Sequence, residues 1–119
     1  MNKIITLLFT SAFVAACTNS MGYVPAKMTD QDKALVQTGL RILLKDPSAA
    51  QVEELRLFTN PKGARMVCGR VNGKNSFGAY SGFQVFLVTS APGLSVNRPI
   101  TAIGAVAAID CSGAGYPVY

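Results

Sequence analysis

The sequence predicts an α+β domain in which one N-terminal helix packs on a small antiparallel sheet of about three strands, tied by one disulfide. Apolar residues recur at helical spacing between residues 36 and 44. Three later segments are rich in β-branched and aromatic residues and are separated by Pro and Gly. Of the three cysteines, Cys68 and Cys111 remain as a pair once Cys17 is assigned to a separate role. We therefore expect a single small domain over residues 29–119.

Residues 1–16 have the pattern of a lipoprotein signal peptide. Lys3 precedes an apolar run of about 11 residues, and two alanines stand directly before Cys17. The pattern resembles the bacterial lipobox, in which the cysteine sulfur carries palmitate-type acyl chains and the signal is removed ahead of it. The run is shorter than the roughly 20 residues that span a bilayer, so lipidation at Cys17 would provide the anchor. An ordinary signal peptide with a free Cys17 thiol is the alternative.

Residues 17–28 are interpreted as the lipidated cysteine and a flexible tether, because Asn, Ser, Gly and Pro stand among few apolar residues. Thr18 follows the cysteine, whereas bacterial sorting that retains lipoproteins in the inner membrane favours Asp there. By that resemblance we expect a protein of the bacterial cell envelope, lipid-anchored and facing the periplasm, with the outer membrane favoured.

The first element of the domain is a helix predicted over residues 30–45. Thr29 is a suitable N-cap and Asp32 stands three residues later, which is the spacing of a capping box. Val36 and Leu40 lie on its apolar face. A polar face, which either contacts acidic lipid or glycan or is simply solvated, repeats every four positions with Lys33, Gln37, Arg41 and Lys45.

After the helix, Asp46 and Pro47 predict an N-cap and the first position of one short helical turn. Residues 54–59 and 64–71 then predict two antiparallel strands joined by the turn at residues 60–63. Residues 83–89 predict a third, well-buried strand because β-branched and aromatic side chains dominate them.

Residues 100–109 fit either a helix, by their alanine content and apolar spacing, or a strand, by their small and branched side chains; the helix is favoured. It would end near Cys111, so that a bridge to Cys68 ties it to the second strand. In an oxidising compartment such a bridge, closing a loop of about 44 residues, would contribute roughly 4 kcal/mol. Two separate buried thiols are the alternative. Residues 112–119 are expected to form a loose tail.

A glycine-rich motif over residues 68–83 contains the candidate binding residues Lys74, Asn75, Ser76, Phe77 and Tyr80. Its glycines permit positive φ, and the pair at residues 72 and 73 is a type I′ turn signal. One interpretation is a long connection whose aromatic side chains pin it onto the sheet. The other is a recognition loop for a glycan or an extended peptide. The motif lacks the pattern of a phosphate-binding loop.

Two parts of the chain carry a resemblance to known proteins. They are Asp46-Pro47-Ser48-Ala49 and the later pattern Cys-Gly-x-Val-Asn-x-Lys-Asn-x-Phe-Gly-x-Tyr-x-Gly. Together they resemble a family of small, uncharacterised exported proteins and lipoproteins of proteobacteria. The resemblance covers roughly residues 46–88. It implies an envelope location and an α+β fold, and it supplies no catalytic residues. The chain departs from the family at Ala79, where relatives often have glycine, and before Cys111, where relatives have aromatic residues.

Composition argues against an enzyme. The chain has no His, which excludes imidazole bases and imidazole metal ligands, and no pair of its six carboxylates suggests glycosidase chemistry. The net charge of +5 comes from scattered basic residues, so nucleic-acid binding has little support. We expect no metal, no cofactor and no catalytic residue. A binding or structural lipoprotein with an envelope protein or glycan as partner is expected first, and an inhibitor of a lysozyme-type cell-wall hydrolase second.

Overall fold

The computed structural model describes residues 22–118, which form one antiparallel sheet and two helices. The elements in chain order are β1 (Val24–Ala26), α1 (Asp30–Leu43), a 3₁₀ turn (Pro47–Ala49), β2 (Gln51–Thr59), β3 (Arg65–Lys74), β4 (Tyr80–Ser90), β5 (Ile100–Ile103) and α2 (Ala105–Ala114). The strands lie side by side in the order β1-β2-β3-β4-β5. The α+β class is confirmed, although the described residues contain five strands rather than three. The predicted signal peptide and Cys17 lie outside the described residues.

Both faces of the sheet are covered, one by each helix. Leu57, Val67 and Phe86 point toward α1 and belong to one buried cluster. Their neighbours Phe58 and Leu87 point the other way and pack with α2 in a second cluster. Side chains alternate between faces along a strand, so covering both faces requires apolar residues at successive positions. This explains the continuous apolar run at residues 85–88 of β4.

The predicted cap of α1 is confirmed. Thr29 Oγ1 accepts a hydrogen bond from the Asp32 backbone N–H at 3.3 Å, and the Thr29 N–H donates to Asp32 Oδ2 at 2.8 Å. The helix ends at Leu43, two residues earlier than predicted, because Leu44 has extended φ and ψ. The predicted short turn is confirmed, with Asp46 at the N-cap position and Pro47 at the first position of the 3₁₀ turn, but the Asp46 side chain accepts the Ser48 hydroxyl at 2.8 Å instead of capping the turn.

The N-terminal part of the domain begins earlier than expected. Residues 22–28 belong to the predicted tether, which is wrong here: Val24–Ala26 pairs with β2 as an edge strand, and Tyr23 is 8% exposed in the α2-side cluster. Pro25 is tolerated in β1 because an edge strand has one side without ladder hydrogen bonds. The buried Tyr23 ring therefore packs the segment before β1 against the α2-side cluster.

The C-terminal segment contains both of the structures that its sequence allowed. Residues 100–103 form β5 and residues 105–114 form α2, with Gly104 between them at φ +81°. The tail predicted from residue 112 is wrong in part, since α2 continues to Ala114 and Tyr116 is 2% exposed. The Tyr116 hydroxyl donates to the Glu54 carbonyl at 2.9 Å. The predicted disulfide is confirmed: Cys68 on β3 is bonded to Cys111 on α2.

Candidate functional site

The hairpin of β3 and β4 gives the domain two opposite ends. Arg65 pairs with Ser90 at one end and Lys74 pairs with Tyr80 at the other. Nine strand steps at about 3.3 Å separate the two pairs by roughly 30 Å. We call residues 74–80 the distal tip. We call the turn at residues 60–63 together with the loop at residues 91–99 the proximal end.

All five candidate binding residues lie in the distal tip, and Asn75 organises its turn. The Asn75 side-chain oxygen accepts the N–H groups of Phe77 at 2.9 Å and Ala79 at 3.2 Å. The Asn75 backbone N–H donates to the Ala79 carbonyl at 2.8 Å, and the Asn75 carbonyl accepts the Gly78 N–H at 3.0 Å. An Asn side chain that satisfies neighbouring backbone groups in this way stabilises a tight turn. The tip is therefore a hydrogen-bonded turn rather than the long connection that the sequence suggested.

The predicted turn at residues 72 and 73 is wrong, because both residues belong to β3 and the chain reverses at residues 75–79 instead. An irregularity in the β3–β4 pairing lies between Asn72 and Lys74. Here Asn72 Oδ1 accepts the N–H of Gly82, which has φ +96°, and Ser81 Oγ donates to the Gly73 carbonyl. The glycine-rich sequence thus encodes a β-bulge below the tip.

Phe77 is the outermost residue of the tip, with 95% of its surface exposed. Gly78 follows it at φ +77°, a left-handed conformation that L side chains rarely adopt. Added atoms at Gly78 would meet nothing within 4 Å, so its role is conformational rather than steric. The interpretation that the motif aromatics pin the loop to the sheet is wrong for Phe77, which packs on nothing.

Tyr80 and Ser76 attach the tip to the chain that follows α1. The Tyr80 hydroxyl donates to the Ala49 carbonyl at 3.0 Å, and Lys45 Nζ donates to Ser76 Oγ at 2.7 Å. Lys74 Nζ lies 5.5 Å from the centre of the Tyr80 ring, within the range of a cation–π contact. Tyr80 is nonetheless 44% exposed. The tip therefore combines an exposed phenyl ring, a half-exposed phenol ring and the Lys74 ammonium, and the Lys45 ammonium is bonded to it from outside.

A second group of residues below the bulge was missed by the sequence analysis. Arg70 Nη1 binds Glu53 Oε1 at 2.8 Å, and its guanidinium lies 5.4 Å from the centre of the Phe83 ring, which is 39% exposed. Arg70 and Glu53 are directly opposite each other in the β2–β3 register. Because the β2–β3 register shifts between Glu53 and Arg56, counting residues from the turn does not predict that Arg70 lies opposite Glu53.

A separate cleft of about 460 Å³ lies between α1 and the loop at residues 91–99. Asp32 and Arg65 line it beside Leu35 and Val96. Arg65 Nε and Nη2 donate to the two Asp32 carboxylate oxygens at 2.8 and 2.7 Å, and these bonds lower the pKa of Asp32 to about 2. The Asp32 carboxylate is thus ionised and occupied by hydrogen bonds, which suits a structural ion pair rather than a proton acceptor.

Within residues 22–118, Cys, Asp and Glu side chains do not gather in groups of three that could hold a metal ion. No helix in this part of the chain is long and apolar enough to cross a membrane. Comparison with known protein families, with curated protein sequences and with solved structures gives no match.

Proposed function

We propose that this protein is a lipid-anchored protein of the bacterial cell envelope that binds an envelope protein or glycan through its distal tip and has no catalytic role. The exposure of Phe77 carries the proposal. A phenyl ring that is 95% exposed gains nothing for folding, yet the residues around it are fixed by hydrogen bonds to Asn75. Rigid, exposed aromatic residues commonly provide binding energy because little entropy is lost when they are covered.

The charges of the tip indicate what kind of partner it would accept. The Lys74 ammonium lies over the Tyr80 ring, and the Lys45 ammonium is bonded to Ser76, the neighbour of Phe77 in the chain. Aromatic rings offer flat apolar surfaces, and ammonium groups attract carboxylates. Both features suit a partner that presents carboxylates along an extended chain, such as a cell-wall glycan with its peptides or an extended acidic protein segment.

The anchor is tested by Cys17→Ser. If acyl chains on Cys17 hold the protein, the variant should remain folded and leave the membrane fraction, since two or three chains are needed for stable anchoring. The measurement is detergent-phase partitioning together with mass determination of the N-terminal peptide. Recovery of the variant in the membrane fraction at the wild-type level would contradict the lipoprotein interpretation.

The tip is tested by comparing Phe77→Ala with Val106→Ala. Val106 is a matched control because it is also exposed, at 63%, but lies on α2, away from the tip. The probes are purified peptidoglycan, measured by sedimentation, and detergent-solubilised envelope, measured by quantitative capture. Phe77→Ala should lose binding by at least about tenfold, as a hot-spot residue does, while Val106→Ala binds as the wild type does. Equal binding by all three proteins would contradict a recognition role for the tip.

Inhibition of a lysozyme-type hydrolase is the second candidate. It is favoured by the shape and charge of the tip, an exposed turn that carries Phe77 and Lys74 and to which the Lys45 ammonium is bonded through Ser76. Glycosidases of this type carry two carboxyl groups in their active-site cleft, to which such a turn is electrostatically complementary. Purified protein should then slow the lysis of cell walls by lysozyme, and Phe77→Ala should not. Unchanged lysis with excess wild-type protein would exclude this candidate.

A further inference from the structure

We propose that the proximal end rests on the surface of the lipid bilayer, with Leu94 and Val96 inserted among the headgroups, so that the distal tip points away from the membrane. The proposal rests on the lipid anchor at Cys17 proposed above and adds the orientation of the domain and its membrane-contacting residues. Three observations support it independently of the tip: where the chain enters the fold, what the loop exposes and how its charges are paired.

The chain enters the domain at the proximal end. Val24 pairs with Thr59, the last residue of β2, so residues 22 and 23 run toward the turn that follows. Gly22 lies beside Pro61 in that turn; a Cβ on Gly22 would be 3.4 Å from the Pro61 ring. Five residue steps separate Cys17 from Gly22, which reach at most about 18 Å at 3.6 Å per step. A lipid on Cys17 would therefore hold this end of the domain close to the bilayer.

The loop at the same end exposes apolar side chains. Val96 is 73% exposed and Leu94 is 40% exposed. Two turns shape the loop: the Leu94 N–H donates to the Ala91 carbonyl and the Arg98 N–H donates to the Ser95 carbonyl, both at 3.0 Å. An ordered loop that presents Leu and Val outward gains free energy when these side chains enter the interfacial region of a membrane.

The charges at this end do not oppose contact with anionic lipid. Lys62 and Arg98 are exposed and form no ion pair within residues 22–118. The acidic residues of the first turn of α1, Asp30 and Asp32, are each paired with a basic side chain. Asp110 is an exposed carboxylate beside Tyr23 at this end, and the two basic side chains, Lys62 and Arg98, outnumber it. Basic side chains beside an apolar loop are favourable at an anionic membrane surface.

The proposal places the two exposed regions at opposite ends of one rigid hairpin. If the proximal end contacts the bilayer, the tip stands roughly 30 Å farther out, the length of β3 at about 3.3 Å per residue. The tip would then be held at a fixed distance from the membrane, within reach of a partner in the periplasm.

The experiment uses the full chain, purified with its lipid and reconstituted in vesicles of phosphatidylethanolamine and phosphatidylglycerol. The natural chain has no Trp, so a single tryptophan reports one position without background. Val96→Trp is compared with Phe77→Trp in vesicles with and without brominated acyl chains, which quench tryptophan on contact. Because an inserted interfacial residue lies about 5–10 Å into the headgroup and acyl boundary, Val96→Trp should lose about half of its emission. Phe77→Trp should lose none.

Flotation with the vesicles tests the lipid anchor separately from the orientation of the domain. If both variants float and Val96→Trp is quenched alone, the proposal is supported. If both float but neither is quenched, or Phe77→Trp is quenched more strongly, the proposed orientation is wrong while the anchor remains. If neither floats and Cys17 carries no acyl chain by mass, the anchor itself is wrong and the orientation falls with it. Melting temperatures equal to that of the wild type would show that neither substitution disturbs the fold.

Discussion

Replacing Tyr80 by Ala should destabilise the domain by about 2 kcal/mol. Slightly more than half of the Tyr80 surface is buried. Half of an aromatic side chain is about 100 Å², which at 25 cal/mol per Å² corresponds to roughly 2.5 kcal/mol as an upper bound. The hydrogen bond from its hydroxyl to Ala49 is solvent-exposed and adds about 0.5 kcal/mol. Because the unfolded chain already buries part of this surface, the expected loss of stability falls below this sum, to about 2 kcal/mol. This is less than a fully buried aromatic residue would cost, since such truncations reach about 3–5 kcal/mol.

The assay is urea unfolding of the wild type, Tyr80→Ala, Tyr80→Phe and Phe77→Ala. Tyr80→Phe isolates the hydroxyl and should cost about 0.5 kcal/mol. Phe77→Ala should change the free energy of unfolding by less than about 0.5 kcal/mol, because the ring is exposed. A loss at Phe77 as large as that at Tyr80 would show that the phenyl ring packs on the domain, and an unchanged Tyr80→Ala would show that the tip is not anchored through its phenol.

Three further predictions concern the scaffold. Replacing Cys68 or Cys111 should lower the free energy of unfolding by about 2–5 kcal/mol. Thiol labelling of the denatured, unreduced protein should detect neither cysteine, and stoichiometric labelling of both would exclude the bridge. The pKa of Asp32 is lowered from 3.8 to about 2, so it contributes about 2 kcal/mol of stability above pH 4, which is lost as the pH falls toward 2. Asp32→Asn should remove that part of the acid dependence of melting, and an unchanged profile would refute the assignment. Gly39→Ala should destabilise the domain by about 1–3 kcal/mol, because the added Cβ would overlap the Val88 side chain. The control Gly113→Ala has open space around it and should be neutral or stabilising. Equal melting temperatures for the two variants would contradict the close approach of α1 to β4.

The parts of the fold that local chemistry determines could be predicted from the sequence. The start of α1 depends on Thr29 and Asp32, which satisfy each other three residues apart. The disulfide followed from the number of cysteines and the expected compartment. The short edge strand β1 could not be predicted, because three residues that include Pro25 have no strand signal of their own and are ordered by pairing with β2.

The candidate site was predictable in composition but not in shape. The five candidate residues in the distal tip are predictable because glycine and Asn mark a turn, yet the sequence signal places that turn at residues 72 and 73 rather than at residues 75–79. The bulge that causes this difference depends on the Asn72 side chain reaching Gly82 across the strand pair. The contact of Arg70 with Glu53 and Phe83 depends on a register that bulges shift. Such pairings are tertiary and leave no periodic signal.

In-cell photo-cross-linking at position 77 tests the central claim most directly. A photoreactive phenylalanine analogue is incorporated at position 77 and, as a control, at position 106, which is exposed on α2. If the distal tip is the binding surface, irradiation should give one discrete adduct from position 77 and no adduct from position 106. If the two ammonium groups contribute to binding, the double substitution Lys74→Ala and Lys45→Ala should abolish the adduct from position 77. The same adducts from both positions, or no adduct from position 77, would contradict the claim.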